Sequence, residues 1–130
     1  MMPAIGAMRA FAEALFGLAV TLALAGGPAE ASEWRCGWIH NPTPANWWLF
    51  DRDGEWTIGT QGGYQAPGLT LIPDLTQSEW VVTNRPTYGY GCGCAEVDVD
   101  RGTWQVSRIY GFSRRPLAVC RADPALPKPD

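Results

Sequence analysis

Residues 47–58 decide the fold, and they read Trp47-Trp48-Leu49-Phe50-Asp51-Arg52-Asp53-Gly54-Glu55-Trp56-Thr57-Ile58. Two apolar segments flank either a two-residue turn at Asp53-Gly54 or a four-residue loop from Asp51, because the Asp-Gly pair readily adopts the positive φ of a tight hairpin. The stretch therefore predicts a β-hairpin. Alternation along its two strands gives an expected core face of Trp47, Leu49, Trp56 and Ile58 and an opposite face of Trp48, Phe50, Glu55 and Thr57.

A second hairpin is expected farther along the chain, where Cys92–Val99 and Thr103–Tyr110 flank the turn 100–102. In its first strand, Ala95 and the two valines that follow alternate on one face, while Cys92 and Cys94 fall on the other. Either both faces of this strand are covered, or the neighbouring glycines permit a bulge.

The remaining segments complete an all-β prediction. Short strands are expected at Glu79–Thr83 and Leu117–Cys120, and loops at Asn41–Pro44 and Gln61–Gly68. No stretch after residue 31 shows a sustained helical period. The predicted fold is a small antiparallel barrel or sandwich, cross-linked by disulfides.

The first 31 residues have the composition of a helical signal peptide. Ala14–Ala25 is an uninterrupted run of Ala, Leu, Phe, Gly, Val and Thr, which is too short for a membrane span of roughly 20 residues. Ala29-Glu30-Ala31 has small residues where a signal peptidase recognises them. We expect translation to start at either Met1 or Met8 and cleavage to occur before Ser32. A single β-rich domain over 32–130 would then be periplasmic or secreted, with no stable membrane anchor.

Composition narrows the range of partners. The chain has 10 basic and 13 acidic residues, a formal net charge of −3, and no basic patch, which argues against nucleic acid. All seven tryptophans follow residue 31. Frequent Gly and Pro favour strands joined by turns.

The four cysteines are expected to form two disulfides, because they are even in number and follow an export signal. Residues two apart in a strand stand about 6.5 Å apart, which disfavours a Cys92–Cys94 bond. Sequential pairing, Cys36–Cys92 with Cys94–Cys120, is slightly preferred to the crossed pairing. Each bridge is expected to contribute roughly 3 kcal/mol.

The same thiols allow a metal-binding function as an alternative. Cys36, His40, Cys92, Cys94 and Cys120 are soft ligands that suit zinc or copper. Oxidation after export competes for these thiols, so we expect neither a metal nor any other cofactor.

The sequence contains no complete catalytic constellation. His40 is the only histidine, and it is expected to lie in a Pro-flanked loop without a nucleophile motif nearby. Asp51, Asp53 and Glu55 could supply a carboxylate pair for glycan hydrolysis, but their position is that of a hairpin turn. We therefore predict no catalytic residue and keep a glycan hydrolase as a further alternative.

Aromatic and amide residues outside the expected core predict a binding surface. Ring faces stack on sugars or peptides, while amides supply directional hydrogen bonds. The candidate residues are Asn46, Trp48, Gln61, Tyr64, Gln65 and Tyr88. Because small β-domains also bury aromatics between layers, packing is the competing explanation. The predicted function is a non-enzymatic binding domain whose partner is cell-wall glycan or an exported protein such as a cell-wall hydrolase.

Several segments resemble a known family. They are residues 35–49, 51–54, 56–58 and 61–64, together with Tyr88-Gly89-Tyr90-Gly91-Cys92-Gly93-Cys94 and 116–124. In these the chain resembles the domain of unknown function 4087 family of small exported bacterial proteins. The resemblance implies export and a single domain, and it implies no activity, since that family is uncharacterised.

Overall fold

The computed structural model describes residues 31–129. The predicted signal peptide therefore lies outside the described residues, except for Ala31. Six strands account for most of the structure: β1 (Glu33–Thr43), β2 (Asn46–Asp51), β3 (Gly54–Gly59), β4 (Trp80–Asn84), β5 (Tyr88–Asp100) and β6 (Gln105–Arg115). A single 3₁₀ turn covers Leu69–Leu71, and one short helix, α1, covers Leu117–Arg121.

The strands form one mixed sheet that closes on itself. Its order is β1-β2-β3-β6-β5-β4, and β1 pairs with β5 as well, so β1, β2, β3, β6 and β5 form a ring with β4 on one edge. Every pair is antiparallel except β3 with β6, which meet in parallel at Thr57 and Gln105. The all-β prediction is confirmed in the form of a small barrel.

The first predicted hairpin is present as β2 and β3. Leu49 lies opposite Trp56 and Asp51 opposite Gly54, so the turn residues are Arg52 and Asp53. Leu49, Trp56 and Ile58 are completely buried, and Trp47 packs against them, which confirms the predicted core face. They belong to the inner core, which fills the barrel together with Ile39, Ala95, Val97, Val106 and Ile109.

The second predicted hairpin is present as β5 and β6, and both strands are longer than expected. Ala95 and Val97 face the inner core, whereas Cys92 and Cys94 face outward and are also buried. Both faces of β5 are therefore covered. The pairing with β6 also shifts register twice, between Glu96 and Val97 and between Asp98 and Val99.

Two segment predictions are wrong. Asn41–Thr43 is not a loop, because β1 continues through it and pairs with β5 as far as Gly89. Leu117–Cys120 is helical rather than extended. Both of its end residues are buried, and a spacing of three places them on one side of a helix. By contrast, β4 lies within one residue of its predicted position.

A second apolar cluster, the outer core, covers the outside of the barrel. It contains Trp38, Tyr90, Cys92, Leu117 and Cys120, with Phe50, Val81 and Leu126 packed against it. Helix α1 and the C-terminal segment, residues 122–129, form its outer layer.

The disulfides are Cys36–Cys94 and Cys92–Cys120, so the sequential pairing that the sequence slightly favoured is wrong. Cys36 and Cys94 lie directly opposite each other in the β1–β5 ladder, with their Cα atoms 3.9 Å apart. Cys92 lies opposite Trp38 instead, on the same outer face, and bonds to α1 above it. Every cysteine in residues 31–129 is thus oxidised.

Candidate functional site

A cleft of about 460 Å³ lies at one end of the barrel, where β1 begins and the β2–β3 and β5–β6 turns meet. We call it the charged cleft, because four acidic and three basic side chains line it beside Trp34, Cys36 and Leu126. The charged residues are Glu33, Arg35, Asp51, Arg52, Asp53, Arg101 and Asp123.

Arg35 organises the floor of the charged cleft. It is only 6% exposed, and its Nη1 donates to Asp51 Oδ2 at 2.7 Å and to Asp53 Oδ2 at 2.8 Å. Its Nε and Nη2 donate to Glu33 Oε1, and its guanidinium lies 4.4 Å from the ring centre of Trp56. Burial opposes the charge of Arg35, but the hydrogen bonds to Asp53 and Asp51 outweigh it and raise the pKa further. The guanidinium is a fixed cation, bonded to three carboxylates and lying over the ring of Trp56.

Asp51 accepts four structural hydrogen bonds. Its Oδ1 accepts from the backbone N–H groups of Asp53 and Gly54 and from the indole N–H of Trp56, while Oδ2 accepts from Arg35. The turn of the hairpin and the floor of the cleft therefore depend on one buried carboxylate.

The carboxylates of this turn do not have the properties of a glycosidase pair. A general acid needs a raised pKa, whereas the hydrogen bond from Arg35 lowers the pKa of Asp53. Asp51 is only 3% exposed, and its two oxygens already accept four hydrogen bonds from the protein. Glu55 points away on the opposite strand face and is exposed. Asp51 and Asp53 are thus both engaged with Arg35 at the hairpin turn.

Trp34 stands at the lip of the charged cleft. It is 55% exposed, the largest exposed fraction among the large apolar residues of the described chain. In the ladder it lies opposite Glu96 and next to Gly111, whose missing side chain leaves room beside the indole ring. A large ring face is thus open to solvent beside fixed charges.

Three of the predicted ligand-binding residues lie at the opposite end of the barrel, namely Asn46, Gln61 and Gln65. Hydrogen bonds connect the loops that carry them. Asn46 donates to Thr43 Oγ1 and accepts from the backbone N–H of Gln61. Gln65 donates to the backbone carbonyls of Ala45 and Thr60. The amides of Asn46 and Gln65 join loop 60–65 to the β1–β2 turn, whereas Gln61 takes part only through its backbone N–H.

The predicted aromatic residues divide into two groups. Tyr64 packs against the inner core and donates its hydroxyl to Val106 O at 2.7 Å, so it is not a free loop ring. Trp48 and Tyr88 lie on the outer face and are half-buried. Trp48 of β2 lies opposite His40 of β1. On the other side of β1, His40 lies opposite Tyr90 of β5, and Tyr88 is two residues before Tyr90 in that strand. The structure brings Trp48 and Tyr88 onto one face, and their role in binding stays a prediction.

His40 belongs to this outer row of rings rather than to a loop. Its ring lies 4.4 Å from that of Phe50 and stacks on Tyr90 at 5.3 Å. Its Nε2 is buried and lacks a hydrogen-bond partner within the described chain, and burial lowers its pKa to about 4. The residue is packed as a neutral ring and has no neighbour that would make it a base.

The four cysteines cannot act as thiolate ligands for a metal ion, because all of them are in disulfides. Residues 31–129 also bring together no group of three His, Cys, Asp or Glu side chains that suits a metal ion. No helix in that range is long and apolar enough to cross a membrane.

Sequence reasoning missed Trp34 and Arg35. One signal for Arg35 was present: if Cys36 faces outward, alternation turns Arg35 inward, and a buried guanidinium requires carboxylates. The nearest candidates were the two aspartates of the hairpin turn. Trp34 had no comparable signal, because alternation places it on the outer face but does not show whether another segment covers it.

The sequence model of a protein family described as Protein of unknown function (DUF4087) matches residues 30–127, and the chain belongs to that family. No curated protein and no solved structure matches the chain significantly.

Proposed function

We propose that the protein is an exported, non-enzymatic binding domain that recognises cell-wall glycan in the charged cleft. The observation that carries this proposal is the exposed Trp34 ring at the lip of a cleft whose floor is fixed by Arg35. Export is supported by the signal-like residues 1–31 and by two disulfides, which persist in oxidising compartments.

The cleft offers the two kinds of contact that a sugar requires. The apolar face of a pyranose ring stacks on an indole, and the planar groups of Arg, Asp and Glu bond its hydroxyls in defined directions. Arg52, Arg101 and Asp123 are exposed, line the same cleft as Trp34 and supply such groups. Arg52 and Arg101 also suit the carboxylates that cell-wall fragments carry.

The rigid floor favours binding over chemistry. Asp51 and Arg35 are held by several hydrogen bonds each, so little side-chain entropy is lost when a ligand arrives. The same bonds engage both oxygens of Asp51 and hold this buried carboxylate in place.

Titration with soluble peptidoglycan fragments tests the proposal. Trp34→Ala should weaken binding about tenfold, the effect of one aromatic contact, while leaving the melting temperature within a few degrees because the ring is exposed. Leu71→Ala, an exposed apolar truncation at a distant 3₁₀ turn, is the matched control and should bind normally.

Three outcomes would overturn the assignment. Absence of fragment binding by the unmodified protein would reject the glycan. Normal binding by Trp34→Ala together with loss in Trp48→Ala would move the site to the opposite end of the barrel. Inhibition of a cell-wall hydrolase without fragment binding would identify a protein partner.

A further inference from the structure

The two disulfides differ in how far solvent reaches them. Cys36 is exposed, whereas its partner Cys94 is only 4% exposed. Cys92 and Cys120 are 3% and 4% exposed, and both belong to the outer core. Exposed disulfides are the ones that exchange with external thiols, because the attacking thiolate must reach one of the two sulfurs. The Cys36–Cys94 bridge therefore has one accessible end, and the Cys92–Cys120 bridge has none.

Cys36 lines two cavities. One is the charged cleft, and the other is a smaller cavity of about 150 Å³, which residues of both disulfides line. Cys94 lines the smaller cavity but not the charged cleft. The two ends of the bridge thus lie in different surroundings, and a thiol that enters the charged cleft meets the end at Cys36.

A cation lies beside the other end of the bridge, at Cys94. Ser113 is directly opposite Cys94 in the β5–β6 ladder, and Arg115 Nη1 donates to Ser113 Oγ at 3.1 Å. Arg115 also lines the smaller cavity, together with Asp123, whose Oδ1 accepts from the backbone N–H of Ala125. A nearby guanidinium lowers the pKa of a thiol and makes its thiolate a better leaving group in thiol–disulfide exchange. Arg115 therefore favours breakage of the bridge with Cys94 as the leaving thiolate.

The β1–β5 ladder holds the two sulfurs together independently of the bond between them. Nine residue pairs, from the pair at 33 and 97 to the pair at 41 and 89, make up this ladder, and Cys36 with Cys94 is the fourth. Ile39 and Val97 of the same two strands belong to the inner core. Opening the bridge leaves this pairing and packing in place, so the two thiols stay opposite each other and the bond can form again.

We propose that Cys36–Cys94 is a reversible thiol-exchange site, opened by an external dithiol while Cys92–Cys120 stays intact as a structural bridge. One thiolate of the dithiol attacks Cys36 Sγ, the bond to Cys94 breaks, and its electron pair leaves on Cys94 Sγ. The second thiolate of the dithiol then attacks the reagent's own sulfur in the mixed disulfide and releases Cys36. The dithiol is oxidised to a disulfide, and its two protons go to Cys36 and Cys94. This exchange does not depend on glycan binding in the charged cleft.

Limited reduction of the folded, oxidised protein with dithiothreitol, followed by alkylation and peptide mapping, tests the order of opening. Alkylated Cys36 and Cys94 should appear at least about tenfold faster than alkylated Cys92 and Cys120, because one bridge has an exposed end. Glutathione, which has a single thiol, should give a mixed disulfide on Cys36 when the reaction is quenched in acid. Equal rates, earlier opening of Cys92–Cys120, or a mixed disulfide on Cys94 would overturn the proposal.

Arg115 is a positioned cation, and its substitution provides the second arm of the test. Arg115→Gln keeps a polar side chain but removes the charge, and should slow opening by dithiothreitol about threefold because Cys94 becomes a poorer leaving group. Arg115→Lys should restore the rate. Arg108→Gln makes the same change at an exposed position of the same strand, outside the smaller cavity, and should react like the unmodified protein. Equal rates in Arg115→Gln and Arg115→Lys would overturn the role of this cation.

Reversibility is tested by removing the bridge and by closing it again. The double variant Cys36→Ser, Cys94→Ser should keep the circular dichroism spectrum of the unmodified protein, and dithiothreitol should not reduce it in the time that opens Cys36–Cys94. After selective reduction of the unmodified protein, added oxidised glutathione should restore the Cys36–Cys94 bridge. Loss of the fold in the double variant or in the selectively reduced protein would overturn the reversible role. A Cys92–Cys94 or Cys36–Cys92 bridge after reoxidation would do the same, because the ladder would then not hold the two sulfurs in register.

Discussion

Lowering the pH from 8 to 5 should destabilise this protein by about 2 kcal/mol through His40 alone. The ring lies between Phe50 and Tyr90, its Nε2 is buried without a partner in the described chain, and burial lowers its pKa to about 4. A charged imidazolium would have to be desolvated among these rings.

The magnitude follows from proton linkage. In the unfolded chain His40 titrates near 6.5, so between pH 6.5 and 4 the unfolded chain binds a proton that the folded chain does not. The free energy of unfolding therefore falls as the pH is lowered through this window, by about 1.4 kcal/mol per pH unit in its middle. The loss reaches about 2 kcal/mol at pH 5 and about 3 kcal/mol at pH 4 and below.

Urea unfolding at pH 8, 6 and 5 measures the effect, and His40→Phe is the matched control because it keeps an aromatic ring without the titration. Asp53 and Asp74 have lowered pKa values and add their own losses at more acidic pH, but these occur equally in both proteins. The difference between the two proteins isolates His40. Parallel pH profiles, or an NMR titration of His40 near 6.5, would refute the reasoning.

Three further predictions follow from the packing. Reduction should raise the intact mass by four hydrogens, and peptide mapping should recover the Cys36–Cys94 and Cys92–Cys120 bridges. Any free thiol, or the sequential pairing, would contradict the structure. Trp56→Ala should lower the free energy of unfolding, measured in urea, by roughly 3–5 kcal/mol, whereas Trp34→Ala at an exposed position should lower it by less than about 1 kcal/mol. Similar losses in the two variants would show that Trp56 is not in the core. Asp51→Ala removes the buried carboxylate partner of Arg35 and the acceptor of the Trp56 indole and of two turn N–H groups, so it should cost roughly 3–5 kcal/mol. The exposed Arg52→Ala should be near neutral, and a small loss for Asp51→Ala would mean that the cleft floor is not an interdependent network.

The hairpins could be predicted because their signals are local. Alternation and an Asp-Gly turn are contained in twelve residues, and Leu49, Trp56 and Ile58 are buried as the pattern indicates. The course of β1 was harder to predict. Pro42 suggested a loop, but the partner strand β5 extends as far as Gly89 and keeps Asn41 in the ladder.

The charged cleft and the disulfide pairing depend on contacts between distant parts of the chain. Arg35 meets Asp51 across 16 residues, and Cys36 meets Cys94 across 58. Which cysteine of the pair at 92 and 94 faces Cys36 is set by the β1–β5 register. Since a shift of two residues keeps the same faces, alternation alone leaves the register open.

The order of residues along β5 explains both the filling of the barrel and the outer core. Inward positions 91 and 93 are glycine, because a Cβ there would lie 2.9 Å from the Trp80 ring and 2.3 Å from the tip of the Phe112 ring, respectively. These two rings pack against the inner core over the glycines, and Ala95 and Val97 then fill the rest of the inward row. The outward positions 90, 92 and 94, which alternate with the inward ones, carry Tyr90, Cys92 and Cys94. The inward row of β5 thus helps to fill the barrel, while its outward row supplies Tyr90 and the Cys92–Cys120 disulfide that joins α1 to the outer core. The same alternation therefore builds the fold and anchors the C-terminal segment on its outer face.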